Sequence, residues 1–222
     1  MFIPEKQPSC LMKKLILNSG LVFVISIIVF SCNEKNDFNV AEKTKKDTLL
    51  QQPKLKILDF NSINNNPGII GVYFVPEMLT LCKTDSAPMR KVSSRISKAF
   101  KILEKDLNLT NAVSNGMPGM LTYNNDTSNF IFECVLPIKE IPKKQPTQSK
   151  IVILEATPML IFNFYGPYQH LFSAYDKIRK YLTATKLMQT GPMREFYLTD
   201  PSFEKDEAKW QTRIMVPVVQ AK

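Results

Sequence analysis

The stretch Arg194-Glu195-Phe196-Tyr197-Leu198 sets a carboxylate and a phenol two residues apart. Side chains of an extended strand alternate between faces, so Glu195 and Tyr197 project from the same one. If that face lines a cleft, the carboxylate sits among aromatic rings. It then carries a desolvation cost that a cationic ligand relieves. On an outward face Glu195 would simply pair with a surface lysine, and alternation alone leaves both readings open. Tyr165 and Tyr168 are candidate aromatic walls, and Trp210 is placed to close one edge of such a cleft. Tyr175 could supply a further wall, but it falls on an apolar helix face, which favours core packing. Glu133 is either a second acidic ligand group or a partner for Arg213.

Other chemistries lack their parts. His170 is the single histidine, which removes a multi-histidine zinc site and a Ser-His-Asp triad. Its place in the first turn of a helix predicts an exposed ring rather than a haem ligand. There is no P-loop, dinucleotide fingerprint or CxxC, so neither cofactor nor metal is expected. Cys82 and Cys134 have no metal-type spacing and read as buried thiols, with their pairing open because strand order is not given locally. The formal charge is +9, of which residues 1–31 carry a net +2. The lysines are scattered, without an Arg-rich helix or aromatic-basic interleaving, so nucleic acid is not an expected partner.

The elements that must position these residues are marked by two Gly-Pro corners, Gly166-Pro167 and Gly191-Pro192. Neither pair fits inside a helix or a central strand, so each ends one element and starts another. After Pro167, Leu171, Phe172, Tyr175, Ile178 and Leu182 recur at helical spacing. Glu195 to Leu198 and Thr212 to Val218 read as strands. Upstream, residues 68–83 read as two strands bent at Pro76-Glu77. A helix to about Asn108 follows, with Val92, Ile96, Phe100, Leu103 and Leu107 as its apolar stripe. Strands are then expected at 120–123, 130–138, 151–154 and 159–164.

A repeat emerges. Val75 to Cys82 resembles Thr157 to Phe164 at an offset of 82, and Phe132 to Ile138 resembles Thr212 to Val218 at an offset of 80. The expected fold is α+β: a duplicated strand–helix–strand–strand module with pseudo-twofold symmetry. Its antiparallel sheets pack with two main helices around a central cleft. At the first offset, Thr84-Asp85-Ser86-Ala87-Pro88 stands in place of the first Gly-Pro corner with three extra residues. One side of the cleft is therefore expected to be reshaped.

The N-terminus carries a different signal. Lys13-Lys14 precedes an apolar run from Leu15 to Phe30, which ends Ser31-Cys32. This is the pattern of a secretory signal, and the run is shorter than the ~20 residues of a membrane span. A small residue before Cys32 resembles a bacterial lipobox, although Phe30 is larger than usual there. The organisation expected is a signal at 1–31 (with Met12 a possible start), then a lipidated Cys32 and flexible tether at 32–66. The domain follows at 67–222, with halves 67–138 and 151–218. An uncleaved signal anchor is the alternative.

The second half is similar to the GyrI-like family, which includes effector-binding domains of bacterial multidrug-responsive and AraC-type regulators. Gly166-Pro167-Tyr168, Ala174-Tyr175, Gly191-Pro192, Glu195 to Pro201 and Ile214 to Val218 carry the resemblance. It is fullest over 151–218 and in register over 67–138. It implies a concave, aromatic-lined pocket for small hydrophobic or cationic molecules, with Glu195 at its base and Tyr168, Tyr197, Trp210 and Glu133 as further ligand-facing candidates. Some relatives hydrolyse strained electrophiles with that glutamate and a tyrosine, so Glu195 and Tyr197 are the catalytic candidates if this chain turns over substrate. No helix-turn-helix is expected ahead of the domain. The resemblance therefore implies ligand binding, and with the N-terminal signal the expectation is a membrane-anchored small-molecule binder in the cell envelope, periplasmic or surface-facing, rather than a DNA-binding regulator. A structural or partner-binding protein with a vestigial cleft is the remaining reading.

Overall fold

The computed structural model describes residues 55–60 and 62–221. The expected signal, Cys32 and the tether as far as residue 54 lie outside the described residues.

Nine strands and two α-helices follow one another as β1 (Gly68–Val75), β2 (Met78–Ala87), α1 (Met89–Thr110), β3 (Gly119–Thr122), β4 (Phe130–Pro137), β5 (Lys150–Leu154), β6 (Thr157–Tyr165), α2 (Leu171–Thr185), β7 (Leu187–Gln189), β8 (Met193–Tyr197) and β9 (Gln211–Gln220). A 3-10 turn, Tyr168–His170, leads into α2, so His170 precedes the α-helix and is exposed. The helices form where the apolar residues recur every three or four positions. Val92, Ala99 and Leu103 bury one face of α1, and Leu171, Ala174 and Ile178 one face of α2.

The strands form one antiparallel sheet in the order β1-β6-β9-β8-β3-β4-β2-β5, with β7 on β9. Each half contributes four strands to the eight-strand path, the second half adds β7 at its side, and the halves join centrally where β3 pairs with β8. The bend at Pro76-Glu77 separates β1 from β2, which do not pair with each other. Instead β1 pairs with β6 and β5 pairs with β2. The halves therefore exchange their outer strands, which no local pattern announces. Both helices lie on one face, over clusters built on Leu81, Phe132 and Cys134 and on Leu160, Ile214 and Val216. The other face carries a third cluster, including Val135, Ile161, Phe196 and Met215, joined by Leu58 of the lead-in.

The registers correct the repeat. Cys134 and Ile214, 80 apart, pair with Met120 and Glu195, which makes those two equivalent. Val135 and Met215 pair with Cys82 and Ile161, an offset of 79 rather than 82. At 79, Ala87-Pro88 stands where Gly166-Pro167 stands, with no extra residues. Pro88 (φ −58°, ψ 142°) and Pro167 (φ −68°, ψ 146°) have the same conformation, each opening its helical segment. The expected reshaping of that corner does not occur. The likeness of Val75-Pro76 to Thr157-Pro158 misled, because a proline next to a short apolar run is too common a pattern to fix register.

Cys82 and Cys134 lie on paired strands but belong to clusters on opposite faces of the sheet. They cannot bridge, because a disulfide requires Cβ atoms about 3.8 Å apart and facing each other.

Candidate functional site

At the centre of the sheet Met120 of β3 pairs directly with Glu195 of β8. These are the repeat equivalents, so the pseudo-twofold passes between them. Gly119 permits the approach: a Cβ there would meet the Glu195 carbonyl oxygen at 2.5 Å and the Phe196 ring at 2.8 Å. Over this seam, between α1 and α2, lies a cleft of about 1380 Å³. Such a volume exceeds the ~300–1,000 Å³ of ordinary small-molecule pockets. It is wide enough for a bulky ligand.

Glu195 forms the floor and is 1% exposed. Its Oε1 accepts a hydrogen bond of 2.6 Å from the Tyr175 hydroxyl, and its Oε2 a longer one, 3.4 Å, from the Tyr197 hydroxyl. Burial raises the carboxyl above its ordinary range, opposed by the two tyrosine bonds. Burial and the adjacent carboxylate also raise both phenols, so they stay protonated and donate. Tyr168 stands edge-to-face with Tyr197 at 5.3 Å between centroids, and Phe100 of α1 meets Tyr197 in the same manner at 6.3 Å. The result is a carboxylate held by phenols beneath aromatic rings, the arrangement that attracts a cation. The carboxylate and a neighbouring phenol can equally serve as base and hydrogen-bond donor toward an electrophile.

Of the residues singled out in the sequence, Glu195, Tyr197 and Tyr168 line the cleft together. Trp210 is not on the cleft surface. It packs behind Tyr168, with centroids 5.1 Å apart, and its indole N–H donates to the Glu204 carbonyl at 2.8 Å. It therefore braces a wall of the cleft rather than facing a ligand.

Glu133 is removed from the site altogether. It shares the opposite face of the sheet with Val135, where it accepts hydrogen bonds of 2.8 Å from Thr84 and from Tyr123. The equivalent pair in the other half is Asn163 and Arg213, which bond at 3.0 Å. Glu133 and Arg213 are thus matching internal braces, and they do not pair with each other. Strand parity places Glu133 opposite to Glu195 only once the pairing of β3 with both β4 and β8 is known.

Tyr175, for which the sequence favours core packing, lines the cleft and holds Glu195. An apolar stripe reads the same whether it covers a core or walls a cleft. The available signal was its spacing of seven from Tyr168, which puts two phenols on one helical face.

Among the described residues no group of three or more His, Cys, Asp or Glu could hold a metal. No match was found among curated protein sequences. Among solved structures, the C-terminal domain of EcmrR superposes with a TM-score of 0.62 at 19% identity, covering 68% of this chain and 96% of that one. EcmrR in its complex with DNA gives a TM-score of 0.61 at 19% identity, covering 68% of this chain and 57% of that one. A hydrolase of Listeria innocua gives 0.51 at 12% identity, covering 72% and 95%. At these identities the likeness is one of fold. The model of the GyrI-like small molecule binding domain matches residues 82–219, from β2 through β9. Cleft and match cover the same two halves, and the chain belongs to the GyrI-like small molecule binding domain family.

Proposed function

We propose that this protein is a lipid-anchored envelope protein whose domain binds a small lipophilic cation in the cleft. The observation that carries the reading is the buried, phenol-bonded Glu195 carboxylate on the floor of an open, aromatic-walled cavity of about 1380 Å³. Burying that charge costs free energy in the empty protein, and a cation set against it recovers the cost. The open cleft weighs against a vestigial one. Anchoring at Cys32 in the cell envelope, periplasmic or surface-facing, rests on the Lys13-Lys14, apolar run and Ser31-Cys32 pattern.

A thermal-shift screen of lipophilic cations against wild type and Glu195→Gln tests the cleft. A native-state ligand at a hundred times its Kd adds about 2.7 kcal/mol of stability. A shift present in wild type and lost in Glu195→Gln is expected, and an equal shift in both would reject the acidic anchor. Labelled fatty acid incorporated by wild type and not by Cys32→Ser tests the anchor.

The second reading is a hydrolase of small electrophiles. The 2.6 Å bond between Tyr175 and Glu195 favours it, since a carboxylate base and a polarising phenol already meet there. Steady turnover abolished by Glu195→Gln would select it over binding alone.

A further inference from the structure

The backbone of the cleft is nearly twofold symmetric, but its side chains are not. With the registers above, Glu195 corresponds to Met120, Tyr197 to Thr122, Tyr175 to Ile96 and Tyr168 to Met89, and all eight line the cleft. Each polar or aromatic member of the acid site thus faces an aliphatic, thioether or small counterpart across the axis. Met120, 7% exposed and directly opposite Glu195, sits where a symmetric site would have its second carboxylate. Glu104 and Asp200, the other acids bordering the cleft, are exposed, so solvent and salt screen a charge beside them.

We propose that the cleft takes a single-headed amphiphile in one orientation, its cationic head on Glu195 and the tyrosines and its uncharged tail along Met89, Ile96 and Met120. This rests on reading the cleft as a cation site. Met120 is then the residue that excludes a second positive charge. A ligand charged at both ends would bury one head against a thioether, with no counter-ion beside it to replace its water. An uncharged tail in the same place removes apolar surface from water on both sides. The floor contributes one charge, and the helix opposite contributes the apolar lane.

The test uses trimethylammonium ions with linear tails from methyl to octyl, and the bis-trimethylammonium of octane, titrated into the full-length protein by calorimetry. Affinity should rise by up to about fourfold per methylene, the increment for burying one such group. The octyl monocation should bind at least ~10-fold tighter than the dication of equal length, since burying an unpaired charge costs far more than a methylene contributes. Ile96→Ser should flatten the chain-length series and leave tetramethylammonium unchanged, while Glu195→Gln weakens every member. Met120→Glu should bring the dication to or above the monocation. Ile96 is only half-buried at the edge of the first-half core, so Ile96→Ser disturbs packing less than a charge at Met120 and decides the matter even if Met120→Glu fails to fold. Glu195-dependent binding with no tail increment, or with equal affinity for both octane ions, would overturn the orientation and leave the cation site standing. Absence of Glu195-dependent binding would overturn both.

Discussion

The two halves of the domain share a backbone, yet their two most deeply buried carboxylates, Asp106 in the first and Glu195 in the second, are used in opposite ways. In the first half Asp106 of α1 is fully buried. It accepts hydrogen bonds from the backbone N–H groups of Thr147, Gln148 and Ser149 and from the hydroxyls of Thr147 and Ser149, at 2.7 to 3.2 Å. Burial works to raise that carboxyl, but the donors outweigh it and hold the group well below the usual carboxylate range. In the second half Glu195 has two phenols and a net upward shift. One acid is satisfied and fastens a connector to a helix. The other is left short of donors at the floor of a cleft. The difference separates a stabilising acid from a binding one, since unrelieved desolvation is what an arriving cation can remove.

The largest effect should come from breaking the satisfied acid. Asp106→Ala strands three backbone N–H groups and two hydroxyls, and should cost about 3–5 kcal/mol in urea unfolding. Its repeat counterpart is Thr185, whose hydroxyl bonds back within its own helix, to the Tyr181 carbonyl at 2.8 Å and the Leu182 carbonyl at 3.5 Å. Thr185→Ala should cost less than about 1 kcal/mol. Because the Asp106 carboxyl is lowered by folding, its contribution is complete above its unfolded pKa of about 4 and is lost as pH falls toward the folded one. Equal losses at Asp106 and Thr185 would dissolve the contrast between the halves.

Next comes the seam that joins them. Gly119→Ala pushes a methyl against backbone at 2.5 Å, where no flexible side chain can yield. Overpacking of this kind should cost about 1–3 kcal/mol. It should also displace Glu195 from Tyr175, so ligand affinity should fall along with the unfolding midpoint. Wild-type affinity in this variant would show that the floor does not depend on the seam.

The unsatisfied acid makes the reverse prediction. A carboxyl raised by folding favours the protonated folded state, so stability falls as pH rises from its unfolded pKa of about 4.3 through the raised one. Glu195→Gln should therefore stabilise the empty protein at pH 7 and leave it unchanged near pH 3. Cation affinity should strengthen over the same rise in pH, because the ionised carboxylate is the binding form. Measured together in one pH series, destabilisation at pH 7 would place Glu195 among structural acids, beside Asp106.

These contrasts show what was legible in the residues. The duplication, the two helices and the shared face of Glu195 and Tyr197 follow from periodicity and Gly-Pro punctuation, which are local. The exchange of β1 and β5 is a non-local pairing, and so is the β3–β8 seam, on which the parity of Glu133 relative to Glu195 depends. The offset shifts from 79 at β2 and β6 to 75 at β3 and β8, then 80 at β4 and β9. The second half has therefore lost four residues between helix and strand and gained five in its final hairpin. The longer hairpin carries Asp200 and Pro201 to the cleft and Trp210 behind Tyr168. No local signal distinguishes such a compensated shift from the constant period a repeat suggests.

The corners at Ala87-Pro88 and Gly166-Pro167 give the last contrast, since their prolines match while the residues before them do not. Gly166 sits at φ 133°, and an added Cβ would lie 3.2 Å from the Phe164 ring. Ala87 is buried at the equivalent place without a positive φ. Gly166→Ala should then cost about 1–3 kcal/mol, through backbone strain that an L side chain meets at that φ. Ala87→Gly should cost less than about 1 kcal/mol, mainly through added freedom of the unfolded chain. If Ala87→Gly instead stabilised the protein, the first corner would be a strained copy of the second. Its half would then be straining to hold the shape that the other half adopts freely, and the equality of Pro88 and Pro167 would conceal a real mechanical difference between the two walls of the cleft.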